Sequence, residues 1–436
     1  MKHRCAANWK ALPENDSDGY HLGFVHRALF STVRSQYQRV VGDEKAAESF
    51  VFNLIGGSEP LLPPMAPPVR AEQDCAGKSP RSDGIGGEML HWDAVAQNVP
   101  LSGREEARMP VTTALQTLTA DEVLARLRAL RTRQPVKFSA FYSSQLGGIV
   151  TDPALMVVPF DDHMVHRGHG IFDTAAIEAG KIYDLEAHLD RFVRSARTSK
   201  LQLPAREEMR DIIVRTTAAS GRRDGSIRYW ASAGPGSLGL TPAAGAEPGF
   251  FVMVFAGLAY PNTWYTQGLR VMTTTYPIKP PLYAVTKSTN YLPNALMQME
   301  AQERGLDNGV FIDEAGNVGE SSNMNVAFVG ADGMLKHPKF DHILSGCTSL
   351  RLLELAASLQ TRNLIKGVQV CDIPVAEARA AREMMLVGSS IKVAPVVEWD
   401  QRPIGDGKPG PVARALRELL QEDMRSARER LIDVPY

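Results

Sequence analysis

From Phe138 onward the chain alternates short β-rich runs with helical ones, and the alternation keeps no steady βαβ period. The β-rich runs cover residues 148–150, 155–159, 226–233 and 249–258, and the helical runs cover 184–199 and 207–219. A further series of strands and helices starts at Leu269, after the turn-like Tyr260-Pro-Asn-Thr263. This mixture predicts an α+β fold rather than a doubly wound sheet. It places a small domain over 138–258, a linker over 259–268 and a larger domain over 269–436. Residues 1–110 carry a Pro-rich stretch at 59–68 and a Gly/Ser/Lys-rich one at 77–87, which bury little apolar surface and read as an irregular extension. Residues 111–137 form a helical lead-in. Thr119-Ala-Asp-Glu122 has the form of a capping box, and Val123, Leu124, Leu127 and Leu130 follow at helical spacing. Arg126, Arg128, Arg131 and Arg133 fall on its polar side and read as a solvated face.

Charge narrows the function classes. The 436 residues hold 48 Lys plus Arg against 49 Asp plus Glu, a net charge of −1, so the basic excess typical of nucleic-acid or anionic-membrane partners is missing. The longest apolar stretch, around 250–260, is far short of the roughly 20 residues that span a bilayer. Cys5, Cys75, Cys347 and Cys371 lack CxxC spacing, which indicates neither a disulfide framework nor a zinc ribbon. The first residues show no apolar run of the signal-peptide kind. A cytoplasmic protein acting on small molecules is the expectation, with a plastid as the alternative compartment.

Thr286-Lys287-Ser-Thr-Asn290-Tyr291-Leu-Pro-Asn294 sits where an extended run and a Pro-rich turn meet a helix. Asn290 is the expected cap, Pro293 suits the first turn, Leu292, Leu296 and Met299 supply an apolar face, and Gly305 stops the helix. A lysine just ahead of such a helix is placed to project into a cleft. Four more motifs accompany it. Asn308 to Val329 reads as a hairpin whose second strand opens at Glu320. Ile343-Leu-Ser-Gly-Cys347-Thr348 directly precedes a helix, and Met385-Leu-Val-Gly388-Ser389-Ser390 lies further on. His188-Leu-Asp-Arg191 stands upstream.

In order and spacing, these motifs resemble those of the fold-type IV pyridoxal-phosphate enzymes over residues 138–436. That family comprises D-amino acid transaminases, branched-chain aminotransferases and aminodeoxychorismate lyases. Phe141-Tyr-Ser-Ser, the run Asp161 to Thr174, Ile404 to Pro411 and the closing Val-Pro-Tyr436 are most similar to the plant-type D-amino acid transaminase branch. The resemblance implies a two-domain architecture with the active site at the domain interface, a homodimer, and pyridoxal 5′-phosphate as cofactor. It also implies transfer of an amino group between a D-amino acid, such as D-alanine, and a 2-oxo acid. Branched-chain L-amino acid transamination and aminodeoxychorismate lyase chemistry are the alternatives within the family. A catalytically silent relative of the fold is the alternative from another class.

The resemblance assigns roles residue by residue. Lys287 is the amine that holds the cofactor and moves the Cα proton. Glu320 is the carboxylate facing the pyridine nitrogen, and Arg191 pairs with the phosphate. Cys347 and Thr348 offer helix N-terminal N–H groups to that phosphate, and Thr348 and Ser389 add hydroxyls. Tyr291 aligns with the residue that bonds the cofactor's O3′ in the branched-chain group. Asn325 fits the family's Glu-Gly-x-x-x-Asn pattern, in which Ser321 replaces the glycine. Arg228 is the first candidate to hold the substrate carboxylate, and Arg167, five residues before Phe172, is the second. Phe172 and Ser390 complete the expected substrate pocket.

Two further features stand apart. His163, His166 and His169 recur every third residue, but with no accompanying cysteine or carboxylate pattern they are expected to make structural hydrogen bonds and hold no metal. The segment from Asn8 to His26, with Asp18, His21 and His26 in Asp-x-x-His-x-x-x-x-His spacing, resembles the mononuclear-iron segment of Rieske-type ring-hydroxylating oxygenases. Without a third ligand or a Cys-x-His pair beside it, it is expected to be a fusion remnant or a doubtful gene start, with no working iron site.

Overall fold

The computed structural model describes residues 115–134 and 136–436, all within the compact unit Pro110–Tyr436. The readings made for residues 1–110 lie outside the described residues. The first elements are α1 (Ala120–Thr132), β1 (Phe138–Ser143), β2 (Gly148–Val150), α2 (His163–Arg167), β3 (Gly170–Glu178), β4 (Lys181–Tyr183), α3 (Leu185–Thr198), α4 (Arg206–Ser220), β5 (Gly225–Ser232) and β6 (Gly249–Phe255). There follow α5 (Thr263–Thr266), β7 (Leu269–Thr273), α6 (Pro281–Ala284), α7 (Leu292–Glu303), β8 (Asn308–Ile312), β9 (Val318–Ser321), β10 (Asn325–Val329) and β11 (Met334–His337). The chain closes with α8 (Cys347–Thr361), β12 (Gly367–Val370), α9 (Val375–Arg379), β13 (Glu383–Gly388), β14 (Lys392–Trp399), β15 (Arg402–Pro403), α10 (Pro411–Ser426) and β16 (Leu431–Asp433).

Among the described residues these strands form two sheets, an α+β arrangement as expected. Seven run in the order β16-β4-β3-β5-β6-β1-β2, and nine in the order β12-β11-β10-β13-β14-β7-β8-β9 with β15 on β14. The first sheet is antiparallel throughout. The second is mixed, because β7 lies parallel to β8, a pairing that the α6–α7 crossover makes possible. β9 ends that sheet's order and β10 lies near the other end, yet only Ser322, Asn323 and Met324 separate them. The sheet therefore curls on itself, and the Ser321 N–H closes the turn on Met324 O at 2.9 Å.

The period of two along β3 decides what faces the site. Ile171, Ala175 and Ile177 pack into a core with Leu185, Leu189 and Phe192 of α3, and Asp173 is buried on that same face. Phe172 and Thr174 point the other way, into a cavity between the two sheets. In the second sheet Leu352, Ala356 and Leu359 of α8 repeat at helical spacing and bury against β10, β11 and β13. Each such fully buried leucine contributes about 1.5–3 kcal/mol.

Some local expectations give way to packing. Residues 155–159 are not a strand: Asp152 caps a 3₁₀ turn at Pro153–Leu155, and the chain after it finds no partner strand. α1 has its capping box, but Val123 and Leu130 are exposed and none of its residues is fully buried. Of its arginines, Arg128 pairs with Asp152 and Arg131 lies over Phe138. In α7 the buried residues are Asn294, Met297, Glu300 and Ala301, while Leu292 and Met299 face outward. Tyr291, not Asn290, occupies the cap position, and the Asn290 side chain turns instead to Ser288. Gly305 does follow the end of α7, at φ +68°.

Candidate active site

The segment bearing Lys287 is stitched along the start of β3. Phe172 N–H donates to Lys287 O (3.0 Å), Lys287 N–H to Ser195 Oγ (3.1 Å), and Thr289 N–H to Gly170 O (2.9 Å). Thr289 Oγ1 donates to Gly168 O at 2.9 Å. Gly168 ends α2 at φ +65°, where a side chain would be strained and would also run into Asn290. With its backbone held this way, Lys287 places its Nζ 4.8 Å from the Phe172 ring centre and 3.4 Å from the Tyr291 hydroxyl. Lys287 is half-buried and lines the cavity. Burial, reinforced by Arg191, lowers its pKa to about 8.

Glu320 faces the same cavity from β9, where it is the third of four residues rather than the first of its strand. Its Oε2 accepts two long hydrogen bonds, from Leu344 N–H (3.3 Å) and Asn325 Nδ2 (3.4 Å), and burial raises its pKa to about 7. Asn325 also donates to Leu344 O and accepts from Ser349 Oγ, both at 2.9 Å. Ser321 donates to Gly309 O at 2.7 Å and has no positive φ, so serine fits this turn without strain.

The cavity's far wall is the N-terminus of α8. Gly346 occupies the cap position and provides no side-chain cap, which leaves the first N–H groups available beside Cys347 and Thr348. Thr348 Oγ1 and Ser389 Oγ lie 3.1 Å apart there. Arg191 reaches in from α3, donating to Ser345 O (3.1 Å) and, through Nε and Nη2, to Asp173 (2.9 and 2.7 Å). His188, one helical turn earlier on α3, bonds Asp173 at 2.9 Å. Burial alone would raise Asp173, but Arg191 and His188 outweigh it and hold the carboxyl well below the usual range. Burial would lower His188, but Cys347 and Asp173 outweigh it and raise its pKa to about 10. Arg191 and His188 thus share Asp173 just behind the start of α8.

Arg228 of β5 lies opposite Thr174 of β3, donates to its hydroxyl at 3.0 Å, and sits over the Phe172 and Phe255 rings at 5.4 and 5.7 Å. Ser389 and Ser390 border the cavity at the β13–β14 turn. The space enclosed is about 180 Å³, far more than the roughly 10–15 Å³ one water requires.

One expected substrate residue is not there. Arg167 is exposed on α2, which turns it toward the β5–β6 loop, where it donates to Leu238 O (2.7 Å) and Gly239 O (3.3 Å). It is not part of the cavity wall. Nearby, His163 and His169 bond through their Nδ1 atoms at 3.0 Å, and His169 Nε2 meets Ser199 O at 2.7 Å. Neither ring nitrogen of His166 has a hydrogen-bond partner among the described residues, and no group of three metal-ligating side chains occurs among them. Asp173, by contrast, was not singled out from sequence. Its signal was a lone acid among the buried residues of an apolar strand, a pattern that calls for a cationic partner.

Comparison with known proteins agrees with this geometry. The family model for amino-transferase class IV matches residues 170–399. A second model, for the catalytic domain of the ring hydroxylating alpha subunit, matches residues 1–116. The chain is 48% identical over 322 residues to the chloroplastic D-amino-acid transaminase of Arabidopsis thaliana, covering 73% of this chain and 85% of that protein. It is 28% identical over 283 residues to a putative branched-chain-amino-acid aminotransferase of Methanocaldococcus jannaschii, covering 64% and 94% respectively. Among solved structures, the T.th. branched-chain amino acid aminotransferase with pyridoxamine 5′-phosphate matches at a TM-score of 0.63 and 28% identity, over 69% of this chain and 99% of that one. The family match runs from the first residue of β3 to the last of β14, and so takes in Lys287, Glu320 and the start of α8. This chain therefore belongs to the class IV aminotransferases.

Proposed function

We propose that this chain transfers an amino group between a D-amino acid, D-alanine being the simplest, and a 2-oxo acid, with pyridoxal 5′-phosphate held by Lys287. The observation that carries the reading is one cavity lined by a lysine amine and a buried carboxyl, walled at its far side by an uncapped helix N-terminus with the Arg191 guanidinium beside it. Those features fit the cofactor: an amine for its aldehyde, an acid for its ring nitrogen, donors and positive charge for its phosphate. When bound, it supplies an aldehyde that takes up the amino group and a ring that accepts electrons from the substrate Cα.

The chain's own residues do the rest. Lys287 Nζ takes the Cα proton and returns it, and a pKa near 8 keeps a useful neutral fraction at working pH. Glu320 would pair with the ring nitrogen, and Tyr291 with O3′. The N–H groups of Cys347 and Thr348, the Thr348 and Ser389 hydroxyls, and Arg191 would grip the phosphate. Arg228, Phe172 and Ser390 would orient the substrate carboxylate so that its Cα–H bond meets the lysine. The two sheets correspond in this reading to the domains over 138–258 and 269–436, with β16 crossing back to the first.

The D-amino acid assignment is supported by the relative with 48% identity. It is tested by mixing the cofactor-loaded protein separately with D-alanine, L-leucine and aminodeoxychorismate and following the cofactor spectrum and the oxo-acid product. D-Alanine should react at least about tenfold faster than L-leucine, a margin within reach of pocket discrimination. Reaction with L-leucine alone would make it a branched-chain enzyme, and no reaction with any of the three would make it a silent relative.

We also infer a homodimer. Leu282 and Tyr283 of α6 and Leu292 of α7 are 57–69% exposed on either side of the lysine segment, an apolar flank of the kind a partner surface covers. Light scattering should give twice the 47.7 kDa chain mass, and Leu282→Asp with Leu292→Asp should shift it toward the monomer. A wild type that is monomeric at micromolar concentration would end this inference. No helix among the described residues is long and apolar enough to cross a membrane. A plastid becomes the favoured compartment on the name of the Arabidopsis relative.

A further inference from the structure

Another cavity lies apart from the catalytic one and is the larger of the two, about 1090 Å³ against 180 Å³. Its walls are α5, the residue before β13, the loop from Gly405 to Gly410 and the first turns of α10. The loop has a fixed course. Gly405 stands at φ +58°, and a side chain there would run into Arg382 O. A side chain at Gly410 would displace Glu383, whose two carboxylate oxygens accept the Val412 and Ala413 N–H groups at 3.0 and 2.9 Å. The N-terminus of α10 is thus already satisfied by an acid of the chain itself.

Four cations line this cavity: Arg382, Lys408, Arg414 and Arg417. Among the described residues none of them forms an ion pair. Arg414 and Arg417 are three positions apart on α10 and so share a face. The Arg417 guanidinium lies 3.9 Å from the centre of the Tyr265 ring, which supports it from one side. Tyr265 is itself held, its hydroxyl donating to Ile391 O at 3.1 Å. The Arg417 Nε is buried with no hydrogen-bond partner among the described residues, a costly state that an acceptor from outside the chain would relieve. Three carboxylates stand on the same walls. Glu383 is spent on α10 and Asp406 accepts the Lys408 N–H at 3.0 Å, which leaves Glu418.

We propose that this cavity is a second binding site, for a small molecule that carries two or more phosphate groups. The cations come from three segments, so they suit a ligand whose charge is likewise spread out, and a single small anion would leave some of them unpaired. Guanidinium groups match phosphate oxygens two at a time, and three of the four cations are arginines. The space is ample for such a molecule, since small-molecule sites run to roughly 300–1,000 Å³. This site is separate from the reaction assigned above, because Lys287, Glu320 and the start of α8 line the other cavity.

The test uses the full chain loaded with pyridoxal 5′-phosphate, and titrates it with inorganic pyrophosphate by calorimetry at low salt. One pyrophosphate per chain should bind, with a Kd below about 1 mM. Arg414→Gln and Arg417→Gln should each weaken it about tenfold or more, the share of one charge-assisted contact. Arg414 is exposed, so its replacement leaves packing intact. Arg215→Gln, on α4 and outside the cavity, should leave binding unchanged. Inorganic phosphate should bind at least about tenfold more weakly than pyrophosphate, having fewer oxygens to share among the arginines. Absence of saturable binding overturns the proposal, as does binding that survives both α10 substitutions. Citrate binding as tightly as pyrophosphate would make the ligand a polycarboxylate and overturn the phosphate assignment. Loss of binding in Thr348→Ala would place the anion at the start of α8 and equally overturn it. The titration gives its answer whether or not the chain transaminates any of the three amino substrates.

Discussion

Lys287→Ala should reduce turnover with D-alanine and a 2-oxo acid by about 10⁴-fold, the upper range for removing a positioned acid–base group. The loss should be confined to chemistry. The segment is anchored by backbone bonds to Phe172, Ser195 and Gly170, none of which needs the lysine side chain. Its one side-chain hydrogen bond among the described residues is the long one to Tyr291, and its surroundings disfavour its charge, so deleting the amine also removes a charge that is costly to hold there. The cofactor-free variant should therefore melt at or above the temperature of the cofactor-free wild type. Steady-state kinetics beside thermal melting checks both halves. Retention of more than about a hundredth of wild-type turnover, far above that range, would show that another group moves the proton.

Asp173→Ala should do the reverse, costing about 3–5 kcal/mol of stability because it strips the counter-charge from two buried cations, Arg191 and His188. An exposed pair provides the contrast. Asp211 and Arg215, one turn apart on α4 and both more than half exposed, should lose no more than about 0.5 kcal/mol on Asp211→Ala. The pH dependence has a definite sign. The Asp173 carboxyl is held well below its unfolded value, so the contribution of its own ionisation is complete above about pH 4 and fades as acid protonates it in the folded state. The gap between Asp173→Ala and wild type should narrow in strong acid, and it should also shrink as pH rises from about 6.5 toward 10, because Asp173 helps hold His188 protonated in the folded state. Urea unfolding at several pH values measures it, and a neutral-pH cost under about 1 kcal/mol, well below that of a broken buried pair, would mean that the two cations find another partner.

The sequence by itself determined features whose cause is local. The capping box of α1, the amphipathic run of α3, the glycine after α7 and the uncapped start of α8 each follow from residues a few positions apart. The irregular succession of strands and helices was enough for an α+β fold, and the order of five motifs was enough for the family. Tertiary structure alone decided matters that depend on partners distant along the chain. α7 has apolar residues on more than one face, and its packing chose Met297 and Ala301 over Leu292 and Met299. Arg167 and Arg228 were both basic candidates near one motif. The α2 turn sends the first to Leu238, whereas strand pairing sets the second beside Thr174 and the cavity. Asp173 meets Arg191 across 18 residues, and Lys279 meets the Tyr291 ring across a Pro-Pro bend. Periodicity encodes which face of an element is apolar, but a buried charge is placed by what opposes it, and that is known only once the chain has closed around it.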